Sequence, residues 1–168
     1  MEITTFSQFI TTIFTGYNLA IFGAFVAAAF AGWGSAKAVG MVGQAASGLL
    51  SEDPTQFGKT LILQALPGTQ GIYGLITAFL IMAKAGTLGT PIDLTLAQGG
   101  YLFIAALPIA VVGYFSAIHQ AKVACSGISL IAKQKNEIGK AITAAALVET
   151  YAIFALLVSL LMIIFLKV

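Results

Sequence analysis

Between Lys140 and Lys167 the chain reads Ala141-Ile142-Thr143-Ala144-Ala145-Ala146-Leu147-Val148-Glu149-Thr150-Tyr151-Ala152-Ile153-Phe154-Ala155-Leu156-Leu157-Val158-Ser159-Leu160-Leu161-Met162-Ile163-Ile164-Phe165-Leu166. Its one charge is Glu149. A helix crossing a bilayer needs about 20 mostly apolar residues, and this run exceeds that. Glu149 lies nine residues past Lys140, about 13 Å along a helix axis at 1.5 Å per residue. That depth is within hydrocarbon. A carboxylate there costs about 2.5–3.5 kcal/mol on insertion scales, so it is expected to carry a proton or a cation.

The rest of the chain repeats the pattern. No charge falls between Glu2 and Lys37, between Lys59 and Lys84, or between Asp93 and Lys122. These gaps predict further spanning helices near residues 13–50, 57–83 and 95–132, with the fourth near 139–167. The first and third are long enough to overrun the bilayer. The 168 residues are 59% hydrophobic and 8% charged, against about 25% charged in a soluble domain. Such a surface excludes a water-facing globule, a disordered chain and a nucleic-acid binder. The fold expected is an all-α membrane protein of four transmembrane helices.

All eight basic residues are lysines. Lys37, Lys59, Lys122, Lys133, Lys135 and Lys140 flank the loops near 44–58 and 133–138; Lys84 and Lys167 lie toward the other side. The positive-inside rule puts both loops in the cytoplasm and both termini outside. The start of the chain, with Glu2, no basic lead-in and a long apolar run, does not read as a cleavable signal. Cys125 is the one cysteine, so no internal disulfide is possible.

The chain also reads as two tandem hairpins. Residues 1–90 form the first, without a carboxylate in its spans, and 91–168 the second, carrying Glu149. Phe57-Gly58-Lys59 recurs as Ile138-Gly139-Lys140, and Leu66, Thr69 and Ile72 recur as Leu147, Thr150 and Ile153, displaced by 81. Ala46-Ser47-Gly48 resembles Cys125-Ser126-Gly127 at a displacement of 79, which predicts a two-residue change in the cytoplasmic turn. Two helices per unit make this a parallel repeat, not an inverted one. Gly16, Ala20, Ala24, Ala28, Gly32, Ala36 and Gly40 recur every fourth residue. Small residues let membrane helices approach closely, and this stripe winds around its helix. A packed ring of helices and a compact bundle both satisfy it.

Leu66, Thr69, Gln70 and Tyr73 share one helical face. Pro67 removes the donor for the Leu63 carbonyl and bends that helix. Counting outward from the turns places Gln70, Gln120 and Glu149 at one membrane level. A proton carrier needs only the carboxyl. A bare hard cation needs oxygens in place of its hydration shell, and Thr69, Gln70 and Gln120 supply neutral ones. One negative charge among them suits a monovalent ion, which favours Na+ over H+. A passive pore or structural proteolipid, with Glu149 lining water, is the reading from another class. Gly68 stands where the second hairpin has Glu149, so a chain holds one ion. No phosphate-binding loop or catalytic constellation is present.

At Leu63-Gln64-Ala65-Leu66-Pro67-Gly68-Thr69-Gln70-Gly71-Ile72-Tyr73-Gly74, Ser116-Ala117-Ile118-His119-Gln120-Ala121-Lys122-Val123, Val148-Glu149-Thr150-Tyr151-Ala152-Ile153 and Gly34-Ser35-Ala36-Lys37-Ala38-Val39-Gly40-Met41, the chain resembles the proteolipid (c-ring, or K) subunit of prokaryotic V/A-type rotary ATPases, most of all the sodium-translocating branch. The resemblance implies Na+ as the transported ion. It is held by the Leu66 carbonyl, the Thr69 hydroxyl, the Gln70 and Gln120 side chains and the Glu149 carboxylate, which Tyr73 steadies. It implies no organic cofactor and a ring of identical copies in the cell membrane. The implied partners are a stator subunit that supplies an arginine and a central-stalk subunit. Catalysis on ATP falls to other subunits. His119 is expected to be an incidental neighbour of Gln120.

Overall fold

The computed structural model describes residues 5–90 and 92–167. The ends that the lysine distribution puts outside, Met1 and Val168, lie outside the described residues. Six α-helices follow in order: α1 (Phe6–Ile13), α2 (Gly16–Glu52), α3 (Phe57–Ala65), α4 (Thr69–Lys84), α5 (Leu96–Lys133) and α6 (Ile138–Phe165). One-turn 3-10 segments, Pro54–Gln56 and Leu66–Gly68, join α2 to α3 and α3 to α4. Among the described residues there is no strand. Four helical stretches, Gly16–Glu52, Pro54–Lys84, Leu96–Lys133 and Ile138–Phe165, are long and apolar enough to cross a membrane. The four-span expectation holds, with boundaries shifted by a few residues. At 37 and 38 residues, α2 and α5 are about 55 Å long. They overrun a hydrocarbon core of roughly 30 Å.

Helix α1 is absent from the sequence expectation. Thr15 explains the boundary: its hydroxyl accepts from the Asn18 N–H and starts α2 at Gly16. The Asn18 amide then donates to the Thr12 and Ile13 carbonyls at 3.2 and 3.0 Å, closing the last turn of α1.

Small residues position α2 against α5. A Cβ on Gly23 would sit 2.7 Å from Phe103 Cα, and one on Gly34 2.6 Å from Tyr114 Cα. Contacts that advance together along both helices make α2 and α5 parallel. Helix α4 returns against α2, with the Gly71 N–H donating to Ser35 Oγ at 2.7 Å. Helix α6 returns against α5, with Ser116 Oγ donating to the Val148 carbonyl at 3.1 Å. The core divides in two. One cluster gathers Ala20, Ala27, Ile81, Leu102, Ile109 and Ile163; the other gathers Ala38, Val42, Leu63, Ala117, Ala124 and Ile131. Between them lies a polar layer.

The repeat is tighter than the sequence suggested. Helix α2 ends on Asp53, whose N–H bonds the Leu49 carbonyl, and α5 ends on Gln134, whose N–H bonds Leu130. Their backbone angles agree, φ −138 and ψ 88 against φ −134 and ψ 83. The displacement is therefore 81 through the hairpin turn. The expected two-residue change is not there, and the small-residue match at 79 is a coincidence of composition. The two turns touch: Lys135 Nζ is 2.7 Å from Asp53 Oδ2, and Lys59 Nζ donates to the Lys135 carbonyl at 2.6 Å.

Candidate functional site

Pro67 shapes the first wall. Leu66–Gly68 tightens into a 3-10 turn that divides α3 from α4. Here the helical ladder is interrupted, and Thr69 Oγ1 donates to the Leu66 carbonyl at 3.0 Å. The same hydroxyl is 3.4 Å from Gln70 Oε1. Leu66 O, Thr69 Oγ1 and Gln70 Oε1 thus gather at one turn, as the shared helical face predicts.

The second wall comes from α5 and α6. Gln70 Nε2 donates to Gln120 Oε1 at 2.6 Å, and both glutamines are fully buried. Gln120 Nε2 donates to Glu149 Oε2 at 3.3 Å. Tyr73 Oη donates to Glu149 Oε1 at 2.6 Å. Leu66, Thr69, Gln70, Tyr73, Gln120 and Glu149 are therefore brought into one connected network, while Pro67 shapes the turn without a bond in it. The depth matching of Gln70, Gln120 and Glu149 holds as direct contact. Burying these amides unpaired would cost several kcal/mol each in apolar surroundings; their mutual bonds offset it.

Two residues had not been singled out. Ser116 lies one turn before Gln120, bonds the Val148 carbonyl, and is within 3.5 Å of Gln70 Nε2. It fixes the height of α6, and so of Glu149, against α5. Ser35 does the same for α4, accepting from the Gly71 N–H and donating to the Gly68 carbonyl at 3.4 Å. Pro108 lies inside α5 further along, and Ser159 Oγ accepts the Ile109 N–H at 3.3 Å. His119 is exposed and takes no part in the network. The position of the serines on the 81-residue repeat was the available signal.

Chemically the site is one carboxylate beside neutral oxygens. No group of three or more His, Cys, Asp or Glu side chains that would hold a metal exists among the described residues. Soft and borderline metals favour nitrogen and sulfur ligands, so this oxygen set suits a hard ion. Gln120 Oε1 has two lone pairs and can accept from Gln70 while facing a cation. Glu149 is half-buried and held by the bonds from Tyr73 and Gln120.

Comparison with known proteins agrees with this geometry. The family model for the C subunit of ATP synthase matches twice, at residues 22–81 and 103–162. The chain belongs to this ATP synthase family. Both matches are displaced by 81, the register seen in the helix ends. The chain is 46% identical over 148 residues to the V-type sodium ATPase subunit K of Enterococcus hirae, covering 88% of this chain and 92% of that protein. It is 35% identical over 142 residues to the A-type ATP synthase subunit K of Methanocaldococcus jannaschii, covering 84% of this chain and 60% of that protein. Family membership and four apolar spans make this a multi-pass membrane protein.

Proposed function

We propose that the chain is the rotor-ring subunit of a V/A-type ATPase, and that each copy carries one Na+ on Glu149. The observation that carries this is the oxygen set around the carboxylate. Tyr73 and Gln120 fix Glu149 in place, and the Leu66 carbonyl, Thr69 hydroxyl and Gln70 carboxamide converge on the facing turn. A proton carrier would need none of these neutral oxygens, whereas a cation stripped of water needs them. The relation to a V-type sodium ATPase subunit supports the same ion.

In this reading Na+ neutralises Glu149, so the loaded site can pass the lipid face without net charge. Tyr73 and Gln120 hold the two carboxylate oxygens, Gln70 orients Gln120, and Ser116 keeps α6 at the right height. Loading and unloading take place at a stator subunit, whose arginine displaces the ion. A central stalk links the ring to ATP hydrolysis or synthesis in other subunits, and the chain itself catalyses nothing. Both hairpin turns face the cytoplasm.

A carbodiimide labelling experiment on the assembled protein tests the ion. Glu149 should react slowly in Na+ and quickly without it. Labelling that ignores Na+ and slows as pH rises would replace Na+ by H+. A steady current through the protein alone in liposomes would instead indicate a passive pore.

A further inference from the structure

The first wall of the ion site is built at a break in the chain's helical path. Helix α3 ends at Ala65 and α4 begins at Thr69, with the 3-10 turn Leu66–Gly68 between them. A helix start leaves its first N–H groups without partners inside the helix. A Ser, Thr, Asp or Asn at the cap normally supplies an oxygen to the N–H two or three residues on. Here the cap is Gly68, which has no side chain to offer. The second hairpin does not meet this problem. Helix α6 runs unbroken from Ile138 to Phe165, through Glu149, the counterpart of Gly68.

Ser35 supplies the missing oxygen from α2. Its Oγ accepts the N–H of Gly71, the third residue of α4, at 2.7 Å, and the same hydroxyl donates to the Gly68 carbonyl at 3.4 Å. These two bonds bracket Thr69 and Gln70, which lie between Gly68 and Gly71 in the chain. Glycine at 71 admits the hydroxyl: a Cβ there would come 3.1 Å from Ser35 Cβ and 3.2 Å from Ser35 Oγ. One turn on, Gly74 lets α4 press onto α2, where a Cβ would run into the Ala27 carbonyl. Ser35 is 6% exposed, so water has little room to take its place. Ser47 and Ser51 on the same helix behave differently, donating to the Gly43 and Gly48 carbonyls of α2 itself.

We propose that Ser35 is a positioning residue of the ion site: a cap lent by one helix to another, which holds Thr69 and Gln70 where their oxygens face the ion on Glu149. Ser35 bonds backbone at both ends, so its effect on the ion passes through the first turn of α4. The α3–α4 break is what gathers the Leu66 carbonyl, the Thr69 hydroxyl and the Gln70 carboxamide, and the borrowed cap is what keeps that break in one shape. The proposal rests on the cation reading above and names the residue that sets the geometry of its neutral wall.

Ser35→Ala in the assembled, full chain tests it, read by the Na+ concentration that half-protects Glu149 from carbodiimide. From the usual effect of losing a helix cap, that concentration should rise roughly fivefold or more. The amides of residues 69–72 should lose hydrogen-exchange protection in the same variant. Gly23→Ala separates position from stability. Its Cβ would lie 2.7 Å from Phe103 Cα, twelve residues before Ser35, so the melting temperature should fall while half-protection stays at the parent's value. Ser35→Ala with the parent's Na+ affinity would overturn the proposal, as would an equal loss of affinity in Gly23→Ala. A Ser35→Ala chain that no longer assembles would also overturn it, by making the hydroxyl a support of the fold and not of the site. Labelling of the unmodified protein that ignores Na+ would defeat the ion reading and this proposal with it, whereas equal protection of parent and Ser35→Ala defeats the positioning role alone.

Discussion

Tyr73 Oη sits 2.6 Å from Glu149 Oε1, joining the second turn of α4 to the middle of α6. This is the only bond in the network, among the described residues, that reaches the carboxylate from the first hairpin. A hydroxyl bonded to an ionised acceptor contributes about 1.5–3 kcal/mol. Tyr73→Phe should therefore weaken Na+ binding by roughly tenfold or more, with assembly retained. The measurement is the Na+ concentration that half-protects Glu149 from carbodiimide.

Gln70 and Gln120 satisfy each other in a buried layer between two apolar clusters. Gln120→Ala leaves the Gln70 amide only the long 3.5 Å contact to Ser116 Oγ and should cost about 1–3 kcal/mol of stability. The double substitution Gln70→Leu with Gln120→Leu removes both polar groups and should cost less than the sum of the single Leu variants. Thermal unfolding in detergent of the parent, the two single Leu variants and the double checks this coupling. Na+ protection should be lost in every variant, whatever its stability.

Gly34 lies where α5 approaches α2 closely, with a Cβ placed 2.6 Å from Tyr114 Cα. The obstacle is backbone, which cannot rotate away. Gly34→Ala should force the hairpins apart at a cost of about 1–3 kcal/mol, lowering the melting temperature and shifting the Gln70–Gln120 contact. A melting temperature equal to that of the parent would show that the hairpins are not packed through this glycine.

The two hairpin turns are tied by Asp53. Lys135 beside it, with bonds from Thr55 and Gln56, holds its carboxyl well below the usual carboxylate range. A carboxylate whose folded pKa is depressed stabilises above its unfolded pKa of about 4 and loses that contribution as pH falls through the folded value. The tie should therefore be intact at neutral pH and fade only in strong acid. Protection of the 53–57 and 134–138 amides, measured relative to their intrinsic exchange at each pH, should hold down to about pH 4 and fall below it. Asp53→Asn should show the lower protection already at neutral pH.

Much of this arrangement was legible in the sequence because membrane burial leaves a one-dimensional record. Charge gaps set the spans, and the lone Glu149 set the site. The shared face of Leu66, Thr69, Gln70 and Tyr73 set its wall. Three things escaped. Helix α1 is short and decided by the Thr15 cap and the Asn18 clamp, local bonds that hydropathy does not register. Ser35 and Ser116 look like ordinary small residues of a close-packed helix until their backbone partners on α4 and α6 are seen. The false register of 79 arose because small-residue tracts resemble one another at many displacements. The matched helix ends at Asp53 and Gln134 distinguish the true one.

In the proposed function one carboxylate per chain holds one Na+ in place of water. Equilibrium binding of radioactive sodium to the purified, assembled protein measures it directly. One Na+ per chain is expected, abolished by Glu149→Gln while the assembly keeps its size. Sodium binding that survives Glu149→Gln, or none in the unmodified protein, would contradict it.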